Sequence, residues 1–348
     1  MNQVAIDSIA PPRLDLARTP TPLELLAHTS REMGVDIYVK RDDYTGMELS
    51  GNKIRKLEFI MADALASNAD TIITCGGAQS NHARATAIAA AKLGLDCRLI
   101  LRTADPSAPP APDGNILLNC MAGAQIVWIT PEEYRHREDI FQREETLLRQ
   151  QGRNPYSIPE GASNALGAWG YIRAMEELAG DIAQLPEGLE RRTTIVVATG
   201  SGGTTAGLIL GTRLLDLNAR IAAVNVCDDR DYFLEAIGSI CETAIATYGL
   251  NISFDRERDI DIVDGYVGRG YALSRPEEMA LIIDIARQEG LFLDPVYTGK
   301  AFYGMIQELK RDPRCFGERI IFIHTGGLFG LFPLAREIAS LISKAASG

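Results

Sequence analysis

Short apolar runs alternate with amphipathic stretches along almost the whole chain. Runs at 37–40, 71–75, 97–101, 126–129, 155–158, 194–198, 221–226, 291–293 and 320–323 predict strands. Between them, apolar residues recur at helical spacing over 52–66, 81–93, 132–150, 166–179, 204–215, 276–288 and 299–310. Strands that are apolar on both sides, separated by helices, predict open parallel sheets covered on both faces, an α/β fold. In such folds ligands bind beyond the carboxyl ends of the strands. The proline-rich stretch 104–113 predicts an exposed loop.

Composition narrows the picture. A chain of 348 residues, 46% hydrophobic, has material for a large core and for more than one domain. Its net charge of −11, without a run of Lys or Arg, argues against a nucleic-acid partner. No apolar run approaches the roughly 20 residues of a membrane span. The six cysteines are scattered, with no C-x-x-C pair and no zinc spacing, so free thiols in a reducing, cytoplasmic setting are expected and no metal site.

The chemistry gathers just after the strands. Lys53 follows Gly51-Asn52 at a helix start and is joined within one turn by Arg55 and Lys56. Clustered cations and burial lower a lysine pKa, and a neutral amine attacks aldehydes. Cations at a helix N-terminus also oppose its macrodipole, a conflict that a bound anion removes. Some 150 residues later, Gly200-Ser-Gly-Gly-Thr204 forms a glycine-rich turn between strand and helix. It lacks the lysine of a nucleotide P-loop, fits G-x-G-x-x-G poorly and is followed by no acidic residue in register for a ribose. A phosphomonoester suits its backbone N–H groups better than a nucleotide. An amine nucleophile and a phosphate cradle together suit one cofactor, pyridoxal 5′-phosphate.

A third strand end, Cys75-Gly-Gly-Ala-Gln-Ser-Asn-His82, leads into a helix. Ser80 or Asn81 caps that helix, or lies at the site, or does both; His82 is expected to be structural. Asp294-Pro-Val-Tyr-Thr298 and His324-Thr-Gly-Gly327 follow further strands, and Tyr271 lies in a loop within reach of the same cleft. Taken singly, each of these reads as packing.

In combination they resemble a known family. Lys-Arg-Asp-Asp at 40–43, Ser-Gly-Asn-Lys at 50–53, Gln-Ser-Asn-His at 79–82, Gly-Ser-Gly-Gly-Thr at 200–204, Asp-Pro-Val-Tyr-Thr-Gly-Lys at 294–300 and His-Thr-Gly-Gly at 324–327 resemble the D-cysteine desulfhydrase and 1-aminocyclopropane-1-carboxylate deaminase family. These are tryptophan synthase β-like, fold type II, pyridoxal phosphate enzymes. The resemblance covers roughly 20–332. It implies a small inserted α/β domain at 55–163 within a large cofactor-binding domain at 1–54 and 164–348, and a homodimer.

It implies roles residue by residue. Lys53 matches the lysine that holds the cofactor's aldehyde. Asn81 matches the residue that bonds its phenolic oxygen. Gly200, Ser201, Gly202, Gly203 and Thr204 match the phosphate cup, with Lys56 a helper, and Thr325 looks like the partner of the ring nitrogen. Ser80, Tyr271 and Tyr297 join Lys53 as catalytic residues, and Gln79, Ser80, Asn81 and Thr298 match substrate contacts. The deaminase branch carries Glu after the tyrosine and Leu before the Gly-Gly. This chain has Thr298 and Thr325, so the resemblance leans to a desulfhydrase releasing pyruvate, hydrogen sulfide and ammonia from D-cysteine. Cyclopropane ring opening, sulfite elimination from L-cysteate and a non-catalytic cofactor-binding module stay open. One departure is Glu160, where glycine is usual; a carboxylate beside the cleft bears on substrate choice.

Overall fold

Strand residues of alternating direction, apolar on both sides, build two sheets in this computed structural model, which describes residues 6–346 and side chains to 343. The outer ends of the expected large domain, 1–5 and 347–348, lie outside the described residues. The first sheet has six strands in the order β1-β2-β10-β7-β8-β9. They are β1 (Leu23–Leu25), β2 (Asp36–Lys40), β7 (Thr193–Thr199), β8 (Ala219–Asn225), β9 (Asp261–Val263) and β10 (Arg319–Ile323). Only the β1–β2 pairing is antiparallel. The second sheet, β5-β4-β3-β6, is parallel throughout. It comprises β3 (Thr71–Gly77), β4 (Asp96–Arg102), β5 (Gln125–Ile129) and β6 (Pro155–Ser157).

Period-two alternation explains how both faces are filled. In the six-stranded sheet Ile195, Val197, Ile321 and Ile323 enter one core, while Val196, Ala198, Ile320 and Phe322 enter the other. In the four-stranded sheet Ile72, Leu99 and Leu101 pack to one side and Ile73, Cys75 and Ile100 to the other. Each such fully buried aliphatic or aromatic side chain contributes about 1.5–3 kcal/mol. The helix Lys53–Ala66 packs against the helix Asn81–Lys92 and, more extensively, against Ala165–Ala183, so it ties the two sheets' layers together.

Several expectations need correction. Residues 291–293 form no strand. Leu291 and Leu293 are buried and Phe292 is 55% exposed, so the alternation is present without a ladder. The short strands β1 and β9, and the helices Ala27–Met33, Gly114–Met121, Arg230–Tyr248 and Ala335–Ala346, were not expected. The expected helix at 132–150 is two helices, Pro131–Arg135 and Arg137–Gln150. Thr130 and Glu133 form a capping box at the first, and His136 breaks the pair with a non-helical backbone. No helix among the described residues is long and apolar enough to cross a membrane.

Candidate active site

The carboxyl ends of β3, β7 and β10 open onto one cleft of about 630 Å³, its solvent-open mouth included. Lys53, Ser80, Asn81, Gly200, Ser201, Gly202, Thr204, Tyr271, Tyr297 and Thr325 all line it, together with Asn52, His82 and Glu160. The chain reaches this arrangement through local constraints. Gly51 has φ +108, and a Cβ on it would lie 2.7 Å from the Thr325 carbonyl oxygen. The Asn52 N–H then donates to that carbonyl at 3.1 Å. This close approach fixes the start of the Lys53 helix against the end of β10.

Asn52 also ties the lysine to the glycine turn. Its side-chain amide donates to Thr204 Oγ1 at 2.9 Å, across 152 residues of sequence. Gly202 holds φ +82 and caps the helix Gly203–Leu214. The first N–H groups of any helix lack intrahelical acceptors, and the dipole there favours an anion. Behind the turn, Ser163 Oγ accepts from the Gly203 N–H and from Lys56 Nζ, each at 3.2 Å, and lies 2.8 Å from Ser201 Oγ. Lys56 and Gly203 therefore brace the turn from behind through Ser163 and do not line the cleft. Nothing in the local pattern around Ser163 singles it out.

Electrostatics mark Lys53. Burial lowers its amine to about 8, against a smaller upward pull from Glu160. A substantial fraction is thus neutral and nucleophilic near pH 8. The Tyr271 and Tyr297 hydroxyls are 2.8 Å apart and share one hydrogen bond. Burial raises Tyr271 to about 12 and pushes Tyr297 well above its ordinary value. A Cβ on Gly200 would lie 2.8 Å from the Tyr297 ring, so a glycine is needed for the tyrosine to stand over the turn.

Ser80 serves in both ways. Its Oγ accepts from the Ala83 N–H at 3.1 Å, capping the helix Asn81–Lys92, and the residue still lines the cleft. Asn81 Oδ1 accepts from Asn115 Nδ2 at 3.0 Å. His82 Nε2 lies 2.8 Å from Thr74 Oγ1, whose hydrogen goes to the Ile158 carbonyl. The ring must therefore carry its proton on Nε2, which leaves the buried Nδ1 as a free acceptor. Burial keeps this histidine neutral, well below its usual pKa.

Two residues expected at the substrate do not line the cleft. Thr298 is fully buried, and its hydroxyl and N–H both donate to Asp294 Oδ1 at 2.7 Å. It locks the Asp294–Tyr297 turn and so aims Tyr297. Gln79 donates to the Asp113 carbonyl at 3.0 Å and accepts from the Asn115 N–H at 2.8 Å, which occupies both ends of its amide.

This donor set fits pyridoxal phosphate. A desolvated amine suits the aldehyde; the backbone N–H groups of the Gly200–Gly202 turn at the helix start suit the phosphate; Thr325 completes the rim. Comparison with known proteins agrees. The pyridoxal-phosphate dependent enzyme family matches residues 14–326. The mitochondrial bifunctional D-cysteine desulfhydrase/1-aminocyclopropane-1-carboxylate deaminase of Arabidopsis thaliana is 45% identical over 334 residues, spanning 94% of this chain and 81% of that protein. The D-cysteine desulfhydrase of Yersinia pestis (strain Pestoides F) is 40% identical over 323 residues, spanning 92% and 95%. The crystal structure of an ACC deaminase homologue superposes with a TM-score of 0.85 at 36% identity, covering 98% of this chain and 100% of that one. With the family model matching residues 14–326 and the α/β fold shared over nearly the whole length, this chain belongs to the pyridoxal-phosphate dependent enzyme family, fold type II.

Proposed function

We propose that this enzyme is a carbon–sulfur lyase that converts D-cysteine and water to pyruvate, hydrogen sulfide and ammonia. The observation that carries the reading is a single cleft lined by the Lys53 amine, the Gly200–Thr204 turn and the hydrogen-bonded Tyr271–Tyr297 pair. Both relatives described above carry D-cysteine desulfhydrase in their names. Bound pyridoxal phosphate supplies an electron sink for charge at the substrate α-carbon.

The chain's own groups do the rest. Lys53 would hold the aldehyde, and its amine, lowered by burial to about 8, would serve as the base for the substrate α-proton. Gly200, Ser201, Gly202 and Thr204 would hold the phosphate, with Gly203 and Lys56 supporting through Ser163. Asn81 would take the phenolic oxygen and Thr325 the ring nitrogen. Ser80 orients the substrate carboxylate. Tyr271 and Tyr297, weakly acidic and mutually bonded, move a proton at the departing sulfur.

We also take residues 55–163 as a small domain inserted between 1–54 and 164–348, since β3 to β6 all fall within it. A cytoplasmic homodimer fits two further features. All six cysteines are free. Leu117, Met121, Leu328 and Phe332 are exposed on two segments that pack together.

The test is turnover of the cofactor-loaded protein on D- and L-cysteine, L-cysteate and 1-aminocyclopropane-1-carboxylate. Sulfide and pyruvate from D-cysteine are expected. Formation of 2-oxobutyrate from the cyclopropane substrate instead would move the assignment to the deaminase side. A cofactor that binds but turns over none of the panel defeats the lyase reading.

A further inference from the structure

Glu160 begins the short turn Glu160–Ala162 between β6 and the helix Ala165–Ala183. Gly161 follows with φ +65, and a Cβ on it would lie 2.3 Å from Ser201 Oγ. That contact presses the turn against the phosphate cradle and leaves the Glu160 side chain lining the cleft beside Lys53, Tyr271 and Tyr297. Its carboxylate has no hydrogen-bond or ion-pair partner among the described residues.

Three cations feel the Glu160 charge without pairing to it, Lys53, Arg102 and Arg137, and both arginines also stand on aromatic rings. The Arg102 guanidinium lies between two rings, 4.4 Å from the centroid of Tyr134 and 4.6 Å from that of Tyr271. Arg137 donates to the Tyr134 carbonyl and stands over the same ring. Lys53 is the amine that the cofactor occupies. Other acids of the molecule are differently placed: Asp42, Glu177 and Glu278 each hold an arginine. The charge of Glu160 is felt through the site, where it adds to the burial that raises Tyr271, Tyr297, Cys75 and Cys227. An unpaired carboxylate in a partly desolvated cleft attracts a cation and repels a second anion.

We propose that Glu160 is a specificity-determining residue that selects amino acids with a cationic β-substituent over those with an anionic one, so that the cleft also eliminates ammonia from 2,3-diaminopropionate. The inference rests on the lyase reading and names a substrate class for the same site. In the reaction the α-proton is removed, its electron pair becomes the Cα–Cβ double bond, and the Cβ–N pair departs on the β-ammonium as ammonia. Water then hydrolyses the released enamine. The sum is 2,3-diaminopropionate and water to pyruvate and two ammonia, with no net oxidation.

The experiment compares the holoenzyme with Glu160→Gln and Glu160→Lys on both enantiomers of 2,3-diaminopropionate, cysteine and cysteate. Pyruvate release gives kcat/KM, and the change in the cofactor's visible absorbance on titration gives Kd. In the native enzyme diaminopropionate is expected to outrank cysteate. Glu160→Gln should cut that ratio by about tenfold or more, and Glu160→Lys should invert it. A ratio that stays within about twofold in both variants overturns the proposal. If no compound yields pyruvate, the lyase reading fails, while the ranking of Kd values still decides the role of Glu160.

Discussion

Lys53 and Arg55 start the same helix, two residues apart, and their charges meet opposite fates. Arg55 is 5% exposed. Its Nε and Nη2 donate to the two oxygens of Asp42 at 2.9 and 2.8 Å, and its Nη1 to Glu177 at 2.9 Å. Thr21 and Tyr171 donate to the same Asp42 carboxylate, and Lys40 pairs with Glu177 and Asp181. Burial pulls the Arg55 pKa down, but Asp42 and Glu177 carry it above its ordinary value. Lys53 is only half-buried, at the cleft wall, with no carboxylate in contact, and desolvation there lowers its pKa to about 8. A buried cation with bidentate acids becomes a strut, and one without becomes a reagent. The two side-chain types suit this division: guanidinium stays charged and forked, while an ammonium gives up its proton.

The largest test of this contrast removes the reagent. Lys53→Ala and Lys53→Arg should both lose the cofactor's visible absorbance band, and turnover should fall about 10³-fold or more. Arginine keeps the charge and loses the nucleophile, so an unchanged band in that variant would show that charge alone was the point. Next in size, Asp42→Ala leaves the buried Arg55 short of its main partner. It should cost about 3–5 kcal/mol in denaturant unfolding, with the band retained in the folded fraction. A loss below about 1 kcal/mol would mean that Glu177 alone satisfies the arginine. The smallest effect sharpens the comparison by pH. The neutral amine is the attacking form, so capture of pyridoxal phosphate by cofactor-free protein should accelerate by roughly tenfold per pH unit below about 8 and level off above it. A profile that keeps rising to pH 10 would place the amine near its unperturbed value.

Much of the candidate site was readable because its signals are local. A glycine-rich turn after an apolar run and before a helix offers backbone N–H groups to an anion, and Ser80 follows a strand and precedes a helix in a way that suits a cap. Other participants carry no local signal. Asn52 matters through Thr204, 152 residues away, and Ser163 through Lys56, Ser201 and Gly203. Arg84 is fully buried, and its Nη2 donates to the Ser50 carbonyl while its Nε reaches Asn115, which in turn holds Asn81. It links the loop before Lys53 to the cleft's other wall. Gln79 and Thr298 stay out of the cleft lining for the converse reason. Both lie beside site residues in sequence, but their polar atoms are taken up by neighbouring backbone and by Asp294. The strands β1 (Leu-Glu-Leu) and β9 (Asp-Ile-Val) lack the continuous apolar run that marks the longer strands.

The amino-acid sequence alone determined that strands and helices would form separate layers, that nearly all the strands would be parallel and covered on both faces, that the amine would open a helix and that the glycine-rich turn would stand just past a strand end. Those outcomes follow from periodicity and turn chemistry, which act over a few residues. Only the tertiary structure decided which charges find partners. Arg55 meets Asp42 and Glu177, Lys53 meets an open cleft, and Glu160 meets no cation within ion-pair reach among the described residues, because pairing depends on which distant segments the packing brings within hydrogen-bond reach, and on how much water it leaves between them.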